Sequence, residues 1–294
     1  MSSARRGTIF LEKARVISQL AYDAEQFVLR LEAPRCAARA RPGSFVHIAC
    51  DPTILMRRPL SIMRADARAG WIEMLYKVVG PGLHALASRK AGDELSVLGP
   101  IGEPFTPHPE RPRRLLLGGG VGIPPMVFLA ERLLDGGEAG MKPLVLMGSE
   151  VPFPFRTRPS TLIVPGMPAG TIACMPLLEE WGVPSRLASR SDFPGCFAGM
   201  VTELADVWLA SLGQAELKQV EIFSCGPTAM LEASAKMARR FGVPCQVSLE
   251  EFMACAVGGC AGCTVLVRTP SGPQMKRVCV DGPVFDAYAV FSPR

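Results

Sequence analysis

Four cysteines crowd together near the carboxy end of this 294-residue chain, Cys255, Cys260, Cys263 and Cys279, spaced C-x4-C-x2-C-x15-C. That places three thiolates on one tight loop and the fourth on a following hairpin arm, and the first three spacings match the plant-type [2Fe-2S] pattern. Gly258, Gly259 and Gly262 lie among them. They remove side-chain bulk, so the backbone can curl and aim amide N–H groups at the sulfurs. Zinc is the rival metal, but its sites more often use two C-x2-C pairs, and here there is one. Four unligated buried thiols, the blandest alternative, would need neither the spacing nor the glycines. The other six cysteines, Cys36, Cys50, Cys174, Cys196, Cys225 and Cys245, are scattered. This is not a disulfide framework, and a reducing cytoplasm is the expected setting.

Gly118-Gly119-Gly120-Val121-Gly122-Ile123-Pro124-Pro125 follows a short apolar run and precedes a helical composition. Its backbone can approach a pyrophosphate, whose charge a helix N-terminus favours. It is not G-x-G-x-x-G, and a plain strand-to-helix turn reads equally well. Phe223-Ser224-Cys225-Gly226-Pro227 ends a later strand, and ligand sites gather at such carboxyl ends. Cys225 also reads as a small buried hydrophobe, and Gly226-Pro227 as an ordinary turn. In Arg57-Arg58-Pro59-Leu60-Ser61-Ile62 a guanidinium precedes a hydroxyl by three residues. Arg58 could grip a diphosphate and Ser61 could donate to a polar ring, with a solvated charge pair as the plainer reading. Tyr76-Lys77-Val78-Val79-Gly80-Pro81-Gly82-Leu83 adds a ring, a cation and a glycine turn. Core packing competes for Tyr76.

The elements that must position these groups change character along the chain. Ala14–Leu20, Phe27–Leu31, Ser44–Cys50, Leu60–Met63, Trp71–Val79 and Glu94–Leu98 read as six short strands between turn signals, which predicts a small antiparallel barrel. Pro107, Pro109 and Pro112 mark a linker. Beyond it Leu115–Leu117, Leu144–Met147 and Val220–Phe223 read as strands, and Met126–Leu134, Leu177–Trp181, Thr202–Leu212 and Thr228–Phe241 as helices. The alternation predicts a parallel, Rossmann-like sheet. The proline-rich stretch 151–168 reads as a loop or insertion. Expected boundaries are 1–107 for the barrel, 108–247 for the α/β unit and 248–294 for the cysteine-bearing unit.

Composition narrows the classes. With 48% hydrophobic and 20% charged residues the chain has material for a large core, and a net charge of +5 is mild and spread out. A nucleic-acid binder would concentrate its cations. Met1–Leu20 carries Arg5, Arg6, Glu12, Lys13 and Arg15 and no apolar run of a secretory signal. The longest apolar stretch, Leu115–Ala130, is broken by four glycines and two prolines and falls short of the roughly 20 residues a membrane span needs.

Taken in order, Arg58 to Ser61, Tyr76 to Leu83, the Gly118 glycines, Cys225-Gly226-Pro227 and the four-cysteine tail resemble the ferredoxin-reductase-like flavoproteins. Within them, the surroundings of Cys255 and Arg277-Val278-Cys279-Val280-Asp281-Gly282-Pro283-Val284-Phe285 resemble electron-transfer subunits of heteromeric, NAD-linked dihydroorotate dehydrogenases. The likeness spans nearly the whole chain. It implies an FAD-binding β-barrel, a Rossmann-like NAD domain and a small [2Fe-2S] domain, together with an FMN-containing catalytic partner in an α2β2 complex. It further implies that Arg58, Pro59, Leu60, Ser61, Leu75, Tyr76 and Lys77 hold FAD, with Gly82 and Leu83 at its diphosphate. By the same likeness Gly118, Gly120, Gly122, Cys225, Gly226 and Pro227 face the nicotinamide nucleotide, and Cys255, Cys260, Cys263 and Cys279 ligate the cluster. Two departures stand out. Leu83 replaces a residue that is usually hydroxylated, and Ser189-Arg190-Ser191-Asp192-Phe193-Pro194 replaces a more acidic run.

The resemblance implies that electrons from the partner's FMN cross the cluster singly, reach FAD and leave as hydride to NAD⁺. It implies no general base for dihydroorotate in this chain, so His47, His84 and His108 are expected to pack or face solvent. Rival readings are the same architecture serving a sulfide dehydrogenase or a bifurcating transhydrogenase, and a non-enzymatic redox sensor or zinc-stabilised scaffold.

Overall fold

The computed structural model describes residues 7–135 and 142–291. Residues 1–6, which include Arg5 and Arg6, lie outside them. Six strands, β1 (Phe10–Tyr22), β2 (Gln26–Glu32), β3 (Phe45–Ala49), β4 (Arg58–Asp66), β5 (Trp71–Lys77) and β6 (Glu94–Ile101), close in the order β1-β2-β5-β4-β3-β6. Alternate side chains point inward, as the two-residue period requires, and Leu29, Leu31, Val46, Ile48, Ile62, Ile72, Met74 and Val97 fill the interior. A four-residue turn, α1 (Pro34–Ala37), plugs the barrel beside β5, and α2 (Gly80–Ala87) leaves β5 where sequence reading expected only a glycine turn.

The second unit is a seven-stranded sheet. It is built from β7 (Arg113–Gly119), β8 (Leu144–Gly148), β11 (Ser185–Ser189), β12 (Phe197–Ala198), β13 (Val220–Cys225), β14 (Cys245–Ser248) and β17 (Val284–Asp286). The order is β12-β11-β8-β7-β13-β14-β17, parallel throughout except for β17. The chain therefore runs outward from β7 and then returns to start again at β13, which makes the β7/β13 boundary the topological switch point. On one face α3 (Ile123–Asp135) is buried along Ile123 to Ala130, sandwiched against the barrel. Arg64 of β4 closes this junction with a 2.8 Å ion pair to Glu131 and lies over the rings of Trp71 and Trp181. On the other face α5 (Val201–Ala210) and α7 (Thr228–Phe241) cover the sheet through Leu204, Trp208, Leu231 and Ala235.

β11 and β14 have no counterpart in the sequence reading. The segment Ser185–Ser189 reads as polar, yet all five residues are buried. Partners from other segments take up most of its polar groups: Ser185 Oγ accepts from the Met175 amide, Ser189 Oγ donates to the Ser149 carbonyl, and Arg186 donates to the carbonyls of Ser185 and Leu162. The stretch after β8 is irregular, as expected, apart from β9 (Arg158–Pro159) paired with β10 (Ala173–Cys174) and the short α4 (Pro176–Glu180) behind it. A turn, α6 (Gln214–Leu217), precedes β13.

The tail leaves the sheet after β14 and forms the cysteine loop. A hairpin of β15 (Thr264–Thr269) and β16 (Gly272–Arg277) follows, then α8 (Val278–Asp281), and the chain re-enters the sheet as β17 before α9 (Ala287–Val290). Leu249 N–H donates to the Pro283 carbonyl at 2.9 Å, so departure and return are fastened to each other.

Candidate functional site

The segment Arg58–Ser61, expected to hold FAD, occupies the start of β4, where Ser61 stands opposite Phe45 and Pro59 opposite His47 on β3. Arg58 reaches across to the first turn of α2. A Cβ on Gly82 would lie 2.8 Å from Arg58 Nε and 2.9 Å from its Cζ. A side chain there would displace the guanidinium from the helix start, where cation and free amides together suit a diphosphate. Leu83 is half-buried and packs on the barrel core, so the position without a hydroxyl serves to seat α2.

Tyr76 is fully buried, with its ring stacked on Phe27 at 5.4 Å. Its hydroxyl donates to Gln19 Oε1 at 2.9 Å, and Gln19 Nε2 donates to the carbonyls of Leu86, Ala87 and Arg89. The tyrosine thus fixes the far end of α2 through Gln19, a link for which the sequence carries no signal. Leu60 and Leu75 are also buried, leaving the side chains of Arg58, Pro59, Ser61 and Lys77 as those able to face a ligand. His47 is buried, and burial reinforced by Arg57 lowers its pKa to about 4, so it is neutral at physiological pH. His84 is exposed, and His108 pairs with the buried Glu221 at 2.7 Å.

At the switch point Gly118 of β7 pairs with Cys225 of β13, bringing the two nucleotide motifs side by side. A Cβ on Gly122 would sit 2.2 Å from the Cys225 carbonyl oxygen and 2.6 Å from the Gly226 nitrogen. One on Gly119 would meet Met230 Sδ at 2.4 Å. Gly120 has open space and uses its freedom differently, at φ +54°. The glycines therefore hold two loops in backbone contact at the carboxyl edge, immediately before α3 and α7, a cradle that suits a dinucleotide diphosphate. Cys225 is buried and its thiol is pushed up to about 12 by burial, so its side chain packs and its backbone forms the cradle.

The cysteine loop is wound through three left-handed residues, Ala256, Gly258 and Ala261, at φ 55°, 80° and 53°. Sequence reading credited that freedom to Gly258, Gly259 and Gly262; the structure gives it to one of them and to two alanines, each at a cost of roughly 1–2 kcal/mol. The winding turns amides inward. Burial raises the Cys255 thiol, but hydrogen bonds from the Val257, Cys260 and Gly259 amides outweigh it and bring the pKa down to about 7. Cys260 N–H donates to Cys255 Sγ and Gly262 N–H to Cys260 Sγ, both at 3.4 Å. Arg277 braces the loop by donating to the Gly258 carbonyl at 3.0 Å while paired with Asp281.

The four thiols act on one another, Cys260 on Cys255 and both Cys263 and Cys255 on Cys279. Four cysteines at this spacing, with amide donors at the sulfurs of Cys255 and Cys260, fit a two-iron cluster. Cys279 is pushed up to about 12 by burial and by its neighbour Cys263, and both lie in an apolar cluster with Phe45 and Ile101 of the barrel.

The family profile described as "Iron-sulfur cluster binding domain of dihydroorotate dehydrogenase B" matches residues 250–291. A relative from Caldanaerobacter subterraneus subsp. tengcongensis, "Dihydroorotate dehydrogenase B (NAD(+)), electron transfer subunit", is 32% identical, with 95% of this chain and 97% of that protein covered. The chain belongs to this family of electron transfer subunits. A relative of the same description from Geobacillus thermodenitrificans is also 32% identical, over 95% of this chain and 98% of that one. Among solved structures, the one titled "Insights into flavin-based electron bifurcation via the NADH-dependent reduced ferredoxin-NADP oxidoreductase structure" superposes with a TM-score of 0.75. It is 27% identical and is matched over 95% of this chain and 90% of that chain. Phthalate dioxygenase reductase shares the fold at a TM-score of 0.55 and 17% identity, over 91% of this chain and 76% of that one. FAD, a [2Fe-2S] cluster and NAD are the cofactors of this architecture, and the three cradles fit them. No helix among the described residues is long and apolar enough to cross a membrane.

Proposed function

We propose that this chain is the electron-transfer subunit of an NAD-linked dihydroorotate dehydrogenase, joined to an FMN-bearing catalytic subunit in an α2β2 assembly in the cytoplasm. The carrying observation is the placement of Phe45. It stands in register with Ser61 of the flavin motif and packs in one cluster with Cys263 and Cys279. On the other side Leu75 and Met63 of the barrel pack with Leu116, Phe223 and Cys225 behind the nucleotide cradle. The flavin strand therefore lies between the cysteine loop and the glycine turns. A bound flavin exchanges electrons singly with an iron–sulfur centre and in pairs, as hydride, with a nicotinamide.

The residues of this chain bind, orient and shield. Arg58 and the start of α2 take the flavin diphosphate, the Gly118–Gly122 and Cys225–Pro227 turns take the nicotinamide nucleotide, and the loop amides stabilise thiolate charge. Oxidation of dihydroorotate belongs to the partner. Exposed Phe252 and Val257 beside the cysteine loop supply apolar surface for that partner to cover. The six free cysteines outside the cluster set, five of them buried, support the reducing compartment.

Cys260→Ala tests the relay. Cys260 is exposed, so the fold survives; NADH oxidation by an artificial flavin-linked dye persists while transfer to the partner is abolished. Equal loss of both activities refutes the path through the cluster. Likeness to the bifurcating oxidoreductase supports a second reading, the same body serving another flavoprotein. Iron, sulfide and flavin analysis of the anaerobically co-purified complex, with an assay of dihydroorotate-dependent NAD⁺ reduction, decides between them.

A further inference from the structure

Arg64 and Glu131 fasten the barrel to the nucleotide unit through α3. A second fastening sits at the tip of the β1–β2 hairpin. Gln26 is 3% exposed, and its Nε2 donates to the Asp23 carbonyl at 3.0 Å within the hairpin and to the Pro152 carbonyl at 2.8 Å in the loop after β8. Among the described residues no other hydrogen bond joins the barrel to residues 149–155.

Each end of this contact leads straight to a cradle. On the barrel side Gln26 stands opposite Lys77 of β5, and the Glu25 carbonyl accepts from the Val78 amide at 2.9 Å, just before α2 begins at Gly80. On the sheet side Ser149 Oγ donates to the Val151 carbonyl at 2.7 Å, and Gly148 stands opposite Gly119 of the glycine turn, one strand spacing of about 5 Å away. A single side-chain amide thus spans from the flavin strands to the nucleotide edge.

The hairpin tip is bent to make this reach. Ala24 and Glu25 are both left-handed, at φ 57° and 55°, a conformation that residues with a Cβ avoid. Strain of this kind persists where surrounding contacts hold it, and it collects at functional sites. Packing alone does not call for an amide here, because an apolar side chain of the same size fills the space without a polar group to satisfy. What the amide adds is direction: two donors aimed at two carbonyls fix where the loop after β8 sits relative to the barrel.

That relation matters to the reaction. Hydride passes between nicotinamide and flavin when the reacting atoms stand about 3–3.5 Å apart, and a misplacement of about 1 Å costs roughly a hundredfold in rate. The two cradles belong to different units, so their spacing is set by the junction. We propose that Gln26 is a positioning residue for hydride transfer, strapping the loop after β8 to the flavin end of the barrel. The inference rests on the flavin and nucleotide assignments above and deepens them.

Gln26→Met closely matches the volume and removes both donors. In the assay NADH gives up hydride, a proton with two electrons, and becomes NAD⁺ while the flavin is reduced by two electrons. The expected result is unchanged flavin stoichiometry, ADP affinity within twofold of wild type by calorimetry, and a stopped-flow rate of flavin reduction at saturating NADH at least tenfold lower. Amide hydrogen exchange across residues 149–155 speeds up, with or without flavin. Gln26→Asn, which keeps the donors on a shorter stem, loses less rate and carries the test where Gln26→Met does not fold. Val28→Ala thins the apolar packing around Phe153 and Leu75 at the same junction and leaves the rate within twofold. A wild-type rate in both Gln26 variants overturns the proposal, as does an equal loss in Val28→Ala. Weakened flavin or ADP binding in Gln26→Met overturns it too, since the amide then serves one cradle and not the spacing. If the wild-type protein holds no flavin, or NADH does not reduce it, the functional reading falls and this inference with it.

Discussion

Gly122→Ala places a methyl group where two loops touch through backbone alone. Its nearest neighbours are the Cys225 carbonyl oxygen at 2.2 Å, the Cys225 carbonyl carbon at 2.4 Å and the Gly226 nitrogen at 2.6 Å. Carbon contacts become comfortable only near 3.5 Å, so the two turns must separate by about 1 Å, and no side chain can rotate away to absorb it. Overpacking of this kind costs about 1–3 kcal/mol, and the backbone setting points to the upper end. The displaced amides are those that line the diphosphate cradle, so nucleotide affinity falls between tenfold and a hundredfold at about 1.4 kcal/mol per decade. The assay is calorimetric ADP binding, supported by the KM for NADH in dye reduction, with flavin absorbance as the control for folding. Gly120→Ala is the companion variant. Gly120 has no neighbour within 4 Å but sits at φ +54°, so alanine costs about 1–2 kcal/mol of conformational strain without moving the β13 turn, and nucleotide affinity suffers less. Wild-type affinity in Gly122→Ala, or a Gly120→Ala defect as large as that of Gly122→Ala, refutes close backbone approach as the reason for these glycines.

In metal-free protein Cys255 is a thiol below pH 7 and a thiolate above it, given its pKa of about 7. Its alkylation rate therefore rises through neutrality, while Cys279, pushed up to about 12, stays unreactive; peptide mapping after iodoacetamide treatment at several pH values checks the order. Tyr76→Phe removes the bond to Gln19 and costs about 1 kcal/mol of stability; stoichiometric flavin in the purified variant, alongside a lowered urea midpoint, marks the hydroxyl as a support for α2. Arg64→Ala leaves the Glu131 carboxylate half-buried without its 2.8 Å partner and strips a cation from two tryptophan rings, a loss of about 2–3 kcal/mol that chemical denaturation measures.

The candidate residues stood out in the sequence because their constraints are local. Cysteine spacing, a strand followed by glycines, and an arginine three residues before a serine survive as patterns without knowledge of the fold. Six barrel strands and the β7–α3 unit were legible for a similar reason, since short apolar runs between turn residues mark them, even where β7 and the first turns of α3 are buried on every side. β11 escaped because Ser185, Arg186 and Ser189 are buried polar residues whose partners, Met175, Leu162 and Ser149, come from other segments. β17 escaped because a three-residue strand acquires its meaning only from the edge it joins. The left-handed Ala256 and Ala261 were invisible because alanine carries no mark of the conformation imposed on it. Tyr76 shows the opposite limit: its position within a motif was plain, but only the bond to Gln19 reveals that its side chain is spent on holding a helix.

The cysteine-bearing excursion begins and ends on one sheet edge, with Leu249 and Pro283 joined by a hydrogen bond and Glu103 N–H of the barrel donating to the Gly282 carbonyl at 2.6 Å. A segment pinned at both feet and at a third point cannot swing as a tethered domain would. Electron tunnelling falls off steeply with separation, so a rigid mount turns hopping distance into a constant of the molecule. Whatever docks outside can then influence driving force, but not the length of the internal jump.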